Sequence, residues 1–370
     1  MSYKPKFHIT LSIANALTAI EHARGFLNAA QLSENWLTHM RERAFILEAH
    51  HTTHIEGTHL SLDDSEKLLS GKSVKGADAD DVKELLNYRK AFDFVSEYVL
   101  SERPITEGLI REIHKKLVQG VRGNSADPGK YRTIQNYVAN SKTKEIIYTP
   151  PAAYEVPILM QELVDWIQNE TMIPPVLIAG IAQFQLVHIH PFLDGNGRSA
   201  RLLSTLCLYR SGYDFKKLFT ISEYYDRNRQ EYYHALQSVR NNHLDLTVWL
   251  EYFCKALATQ MNEIEIKGTY ALNLDHLVIK HALSDRQKKL LEMLQEKEEF
   301  TIQFYESLFP KVNRRSLQRD LSDLVEKGLL KQSGTRKTTH YTLNDLLQEI
   351  TTENQHNQML DGKRMGKEEW

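Results

Sequence analysis

The sequence predicts a mostly α-helical chain with two short β-hairpins, one set inside a helical region and one near the C-terminal end. Three observations lead there. Apolar residues recur at three- and four-residue steps over most of the 370 residues, the spacing of a helix face. Only two places pair short β-prone runs across a polar turn. Ten prolines and seventeen glycines are too few for long linkers, and no repeat of solenoid period is present.

In chain order, Leu37, Met40, Ala44, Leu47 and Ile55 predict a helix over residues 34–53. Leu85, Leu86, Phe92, Val95 and Val99 continue in the same mode, and residues 105–117 form the next helix after the Pro104 break. Residues 132–140 and 144–148 are β-prone runs separated by a polar turn at 141–143, and they predict an isolated hairpin. Two strands alone are marginal, so this hairpin must lean on packing or clamp a bound segment. Helices follow over 156–167, after Pro150-Pro151, and over 176–189, ending near Pro191; Leu202, Leu203 and Leu206 begin another.

After Lys267 the pattern changes. Residues 284–296 place Leu290, Leu291 and Leu294 on one face, and residues 301–309 form a second helix stopped by Pro310. Asn313 is the expected N-cap of a third helix that stops at Gly328. Residues 329–343, with Ser333-Gly334-Thr335 at the centre, predict the second hairpin, and residues 346–370 read as a polar tail. The predicted organisation is an N-terminal helical region (1–100), a helical core (101–266), a small C-terminal domain (280–345) and the tail.

Composition narrows the function. With 41% hydrophobic and 25% charged residues the chain is not wholly disordered. A net charge of −2 gives no global pull toward nucleic acid or an anionic membrane, so nucleic-acid binding requires a local patch. Cys207 and Cys254 make neither a disulfide framework nor a metal knuckle. The longest apolar run, 176–182, is far below the roughly 18–20 residues of a membrane span, and the first residues lack the apolar core of a signal peptide. A soluble, cytoplasmic protein without membrane partners is expected.

Residues 190–201 read His-Pro-Phe-Leu-Asp-Gly-Asn-Gly-Arg-Ser-Ala-Arg. A Gly-Asn-Gly turn opening a helix aims backbone N–H groups and the positive end of the dipole at one spot, a phosphate cradle. Arg198 and Arg201 lie three apart on the first turn and can face that spot together. Cations at a helix N-terminus oppose its dipole unless an anion sits there. Asp194 is a hard oxygen ligand suited to the Mg²⁺ of a polyphosphate. His190 is near-neutral at cellular pH and can accept a proton from a hydroxyl nucleophile. These are the parts of phosphoryl or nucleotidyl transfer.

This string resembles the signature of Fic-domain proteins, His-Pro-Phe-x-Asp-Gly-Asn-Gly-Arg-x-x-Arg, at every fixed position. The resemblance implies a helical core and transfer of AMP from ATP to a Ser, Thr or Tyr hydroxyl of a target protein, with pyrophosphate leaving. It implies His190 as general base, Asp194 as Mg²⁺ ligand, and Gly195, Asn196 and Gly197 as the phosphate nest. Arg198 and Arg201 would hold the outer phosphates, and Phe192 would anchor the loop. Gly197 stands where the kinase-like branch has Lys, which favours nucleotidyl transfer; users of CDP-choline or UTP are not separated by these residues. The first hairpin sits where the family has its flap, so Tyr137, Val138, Ala139 and Asn140 become candidates for holding the target by strand addition. Tyr232 and Tyr233 resemble the aromatic pair beside the adenine.

Thr52, Glu56 and Gly57 end the helix predicted first, with Thr52 and Glu56 four apart on one face. Alone they read as a surface helix end. Beside the Fic string they resemble the family's N-terminal inhibitory pattern, which implies that Glu56 pairs with Arg201 where a γ-phosphate would lie. The family also implies a dimer that stabilises the silenced form. Removal of the modification, with Glu56 positioning a water, is an alternative activity.

The C-terminal domain resembles a winged helix-turn-helix. Its third helix buries Leu317, Leu321, Leu324 and Val325 and turns Arg314, Arg315, Gln318 and Arg319 outward, while Arg336 and Lys337 tip the hairpin. Residues 311–337 hold eight basic and three acidic residues, the local patch that DNA would need. Such domains also bind proteins. A DNA-binding transcriptional regulator whose Fic core senses nucleotide is therefore the rival to a transferase.

Overall fold

The computed structural model describes residues 3–139, 143, 145–294, 299–335 and 338–344. Among them are fourteen α-helices and two antiparallel strand pairs: α1 (Leu11–Ala29), α2 (Glu34–Ile55), α3 (Leu62–Leu69), α4 (Ala79–Leu100), α5 (Glu107–Val118), β1 (Val138–Ala139), β2 (Ile146–Tyr148), α6 (Val156–Asn169), α7 (Pro175–Ile189), α8 (Asn196–Arg210), α9 (Ile221–Arg227), α10 (Arg229–Asn241), α11 (Thr247–His281), α12 (Asp285–Met293), α13 (Ile302–Leu308), α14 (Arg314–Glu326), β3 (Leu330–Ser333) and β4 (His340–Leu343). The protein is mostly helical, as its periodicity requires. None of these helices is long and apolar enough to cross a membrane. The predicted tail, together with Asn140, Arg336 and Lys337, lies outside the described residues.

The chain forms two compact units, Met1–Asn28 with Leu37–Asn262, and Ala29–Trp36 with Glu263–Trp370. Residues 37–100 thus share one unit with the predicted core. The first unit is built around the α7–α8 hairpin. Helix α7 is apolar on every side and accordingly buried nearly throughout. Gly180 gives it a close approach to α11: a Cβ there would lie 2.9 Å from a Phe253 ring carbon and 3.1 Å from Leu250. The Trp249 indole donates to the Gly180 carbonyl at 2.8 Å across the same seam. A buried carboxylate ties α2 to α4 and α9. Glu48 accepts from the Ser222 amide (3.0 Å), the Ser222 hydroxyl and the Tyr88 hydroxyl (3.1 Å), and burial raises its pKa.

The first hairpin is shorter than predicted. Among the described residues, β1 and β2 pair over residues 138–139 and 146–148, and residues 132–137 are not strand. Their hydrogen-bonding groups are spent elsewhere. The Arg132 amide donates to the Pro191 carbonyl (2.8 Å), the Gln135 side chain to Pro150 (3.0 Å) and the Asn136 side chain to Phe192 (3.0 Å). The helix that carries Thr52 is also the second of the chain, because α1 precedes it.

In the second unit α12, α13, α14 and the β3–β4 pair enclose a core that includes Leu290, Leu291, Tyr305, Leu317, Leu321 and Leu324. Ser284 caps α12 with a reciprocal Gln287 capping box, and Asn313 caps α14 by accepting from the Ser316 amide at 2.9 Å. Gly328, at φ 69°, ends α14 with amide bonds from Gly328 to Val325 (3.0 Å) and Leu329 to Leu324 (2.9 Å), a Schellman stop.

Gly180→Ala tests the central seam. With ring carbons in the way, the added methyl is expected to cost about 1–3 kcal/mol, read as a lowered urea midpoint; an unchanged midpoint contradicts this packing.

Candidate active site

The predicted site residues converge at the turn between α7 and α8. Helix α7 ends at His190, whose backbone is left-handed (φ 52°, ψ 56°), a conformation unusual for a non-glycine residue. It is held by its amide bond to the Leu186 carbonyl (2.9 Å) and by Arg132, whose Nε donates to the His190 carbonyl at 2.9 Å. Arg132 is buried, and its guanidinium also donates to the carbonyls of Ile134 and Pro151. It is a cation placed at the negative end of α7. His190 Nδ1 lies 3.3 Å from the Val187 carbonyl. A carbonyl can only accept, so this bond puts the proton on Nδ1 and leaves the Nε2 lone pair free. Burial, with Arg240 adding to it, pushes the His190 pKa down to about 4, against the Val187 bond, which raises it.

The turn itself is built with little slack. Gly195 has φ 76°, and a Cβ on it would come within 2.8 Å of Val118 and 3.4 Å of the His114 ring. The Asn196 side chain clamps Phe192, accepting from its amide (2.9 Å) and donating to its carbonyl (2.8 Å). Asn196 therefore serves a nest through its backbone alone. Phe192 is fully buried, with its ring stacked on His114 at 3.7 Å and 3°. His114 accepts from the Gly129 amide at Nδ1 and donates from Nε2 to the Asp194 carbonyl, both at 3.0 Å. Burial lowers its pKa to about 4, which keeps this two-way bonding intact at neutral pH.

At the head of α8 the amides of Asn196, Gly197 and Arg198 have no acceptor among the described residues. Both arginines are 1% exposed. Arg198 Nη1 donates to Glu84 at 2.7 Å, and its Nε is buried without a partner among those residues. Arg201 donates from Nε to the Thr52 hydroxyl (2.7 Å), and from Nη2 to the Thr52 carbonyl (2.9 Å) and Glu56 Oε1 (2.7 Å). Glu56 lies just past the end of α2, and Gly57 turns the chain with φ 107°. The Glu56 carboxylate rests on Gly197 so closely that any Cβ there would overlap Oε1. A carboxylate thus occupies the mouth of a cationic helix start.

Asp194 is half-exposed. Its Oδ1 accepts from the Gly195 amide (2.6 Å), its Oδ2 meets Arg122 at 3.0 Å, and Arg198 lies 3.6 Å away. No group of three or more His, Cys, Asp or Glu that could hold a metal is present among the described residues. One carboxylate fits Mg²⁺ only in the way this ion often binds, shared between a protein oxygen and nucleotide phosphates.

The two tyrosines differ in exposure although their ring centroids lie 5.3 Å apart. Tyr232 is 2% exposed and stacks on Tyr225 at 4.6 Å. Its neighbour Tyr233 is 49% exposed, so only Tyr233 offers an open ring face. On the hairpin, Tyr137 is exposed, and Val138 and Ala139 form β1. The Tyr148 hydroxyl donates to the His188 carbonyl (2.8 Å) and meets His188 Nδ1 at 2.9 Å, which pins β2 to α7. On α14 the side chains of Arg314, Arg315, Gln318 and Arg319 are exposed, and Arg314 pairs with Glu306 at 3.1 Å. Glu84, Arg122, His114 and Arg132 were not foreseen; each meets the site from a distant part of the chain.

This arrangement is a helical anion site served by a histidine with a free ring nitrogen. Residues 104–208 match the Fic/DOC family. It is 30% identical over 200 residues to the protein adenylyltransferase Fic of Drosophila willistoni, covering 53% of this chain and 38% of that protein. The Drosophila grimshawi protein of the same name is 29% identical over 224 residues, 60% of this chain and 43% of that one. The chain thus spans about two-fifths of the length of these relatives. In structure it resembles a Fic family protein from Desulfovibrio desulfuricans G20 (TM-score 0.63, 23% identity, 92% of this chain and 98% of that one). It also resembles Fic-1 from C. elegans (TM-score 0.57, 27% identity, 68% of this chain and 71% of that one).

Glu84 is 2% exposed and is the counter-charge of buried Arg198. Glu84→Ala is expected to lower stability by about 3–5 kcal/mol, because it strands a buried cation. Chemical denaturation checks this, and a loss below about 1 kcal/mol would show that the guanidinium finds another partner.

Proposed function

We propose that this protein is an adenylyltransferase that moves AMP from ATP to a hydroxyl side chain of a target protein, and that Glu56 silences it. The observation that carries this reading is the Glu56 carboxylate at the start of α8, bonded to Arg201 over the uncovered face of Gly197. An internal anion held on a helix N-terminus and a buried guanidinium stands where a phosphate would bind.

In the proposed reaction the target hydroxyl gives its proton to His190 Nε2 while its oxygen attacks the α-phosphorus. The bond from that phosphorus to the bridging oxygen breaks, and pyrophosphate leaves. The amides of residues 196–198 with Arg198 and Arg201 take the charge of the outer phosphates. Asp194 would hold Mg²⁺, whose chemistry is to neutralise phosphate charge. Tyr233 is the candidate wall of the adenine site. The hairpin, with Tyr137, Val138 and Ala139, would seat a target segment by strand pairing. Glu56 must swing away before the phosphates can settle on Arg201.

Two measurements test this. Glu56→Gly is expected to raise incorporation of label from α-labelled ATP on the order of 100-fold, the scale of releasing a desolvated charge pair, and adding His190→Ala is expected to abolish it. Equal incorporation by wild type and Glu56→Gly removes the silencing role, and labelling that survives His190→Ala removes the base. Because the His190 pKa lies near 4, the ring stays unprotonated on acidification until well below the ordinary histidine range. The Glu56→Gly rate is therefore expected to hold from pH 8 to about 5.5 and to fall only nearer pH 4. A half-maximum near pH 6.5 contradicts this.

The C-terminal unit supports DNA binding as a second property. Exposed Arg315, Gln318 and Arg319 on α14 could meet base edges and phosphates. The expected outcome is a mobility shift with duplex DNA at low salt that is lost steeply as salt is added. No shift at low salt leaves this unit as a protein-binding module.

A further inference from the structure

The segment between α5 and β1 contains a strained stretch for which the reading above has no use. Four of the five residues 120–124 have left-handed backbones: Gly120 (φ 75°), Arg122 (φ 44°), Gly123 (φ 68°) and Asn124 (φ 65°). For Arg122 and Asn124, which carry side chains, such geometry is costly and persists only where its surroundings enforce it. Here they do. The Asn124 side chain accepts from the Gly120 amide (2.6 Å), the Arg122 amide donates to Asp80 (3.1 Å), and Asn87 donates to the Gln119 carbonyl (2.8 Å).

The strain delivers the Arg122 guanidinium to the head of α8. Nη2 lies 2.9 Å from Glu84 Oε1 and Nη1 lies 3.0 Å from Asp194 Oδ2. Glu84 grips Arg198 with its other oxygen at 2.7 Å, while Oε1 meets Arg122 as an ion pair without a hydrogen bond, so one buried carboxylate stands between two arginines. They differ in freedom: Arg198 is 1% exposed, and the Arg122 side chain is 52% exposed. Arg122 therefore has room to move an arm while Glu84 keeps its other edge. Its partner Asp194 is the residue that a metal-bound nucleotide would engage. Once that carboxylate is shared, Nη1 has lost part of its counter-charge and faces the incoming phosphates.

We propose that Arg122 is a third phosphate-binding cation of this site, poised on Asp194 and Glu84 and passing one arm to the β- or γ-phosphate when a nucleotide binds. Glu84 is the positioning residue that keeps Arg122 and Arg198 aimed together. The proposal rests on the reading of the α8 start as a nucleotide site.

The test measures ATP and AMP affinity by calorimetry on the full chain carrying Glu56→Gly, with Mg²⁺ and with EDTA, before and after Arg122→Gln. A charge-assisted bond to an outer phosphate predicts that Arg122→Gln weakens ATP about tenfold or more. AMP, which lacks those phosphates, should bind as before, and the loss should persist in EDTA, where no metal mediates it. Arg122→Lys, which keeps the charge without the fork, should lie between and serves as the folded variant if Arg122→Gln melts early. Unchanged ATP affinity in either folded variant overturns the proposal. An equal loss for ATP and AMP also overturns it, since that reports a purely structural part. If the Glu56→Gly parent itself binds no ATP, the nucleotide reading fails and takes this proposal with it, an outcome distinct from a parent that binds ATP with Arg122 idle.

Discussion

Arg201 is a cation with almost no access to water, and the candidate site is arranged around its needs. Burying a guanidinium is tolerable only with a full set of acceptors and an opposing charge. Thr52 supplies two acceptors from the end of α2, and Glu56, four residues on, supplies the charge. Because both lie outside the α7–α8 hairpin, the region before the residues that match the Fic/DOC family is bonded directly into the site. Glu48 fixes the same helix to α4 and α9 about one turn before Thr52, so α2 meets the site in a fixed register.

A similar logic shapes the turn after α7. His190 is left-handed, Gly195 is left-handed and crowded, and Phe192 lies in the core. A turn so bent keeps its form through side chains that act as backbone partners: Arg132 for His190, Asn196 for Phe192 and His114 for Asp194. Each is buried, and each substitutes for hydrogen bonds that regular structure would have provided. The hairpin is short for the same reason, since residues 132–136 are committed to this turn rather than to a ladder.

What could be read from the sequence was local. Residues 190–201 place helix end, turn and helix start within twelve positions, so the spacing alone brings the candidate groups together. Thr52 and Glu56 were legible as one face of one helix. Glu84 was not, because Arg198 is 114 positions away and a glutamate in mid-helix looks like any solvated one. Arg122 and Arg132 look like loop cations until the fold brings carbonyls and carboxylates to them. Tyr232 and Tyr233 illustrate a nearer limit. Adjacent helix positions point about 100° apart, and the structure buries the first ring and exposes the second while keeping them 5.3 Å apart. Helix ends with cap chemistry, such as Asn313 and Gly328, were legible because they depend on neighbours in the chain.

Arg201 also constrains the order of events in a working cycle. With its surroundings closed to solvent, the state with neither carboxylate nor phosphate beside it is the least favourable of the three. Under the proposed function, entry of a nucleotide is an exchange of one anion for another, and departure of the last phosphate draws the glutamate back. On that proposal the silenced state is the one to which each turnover returns.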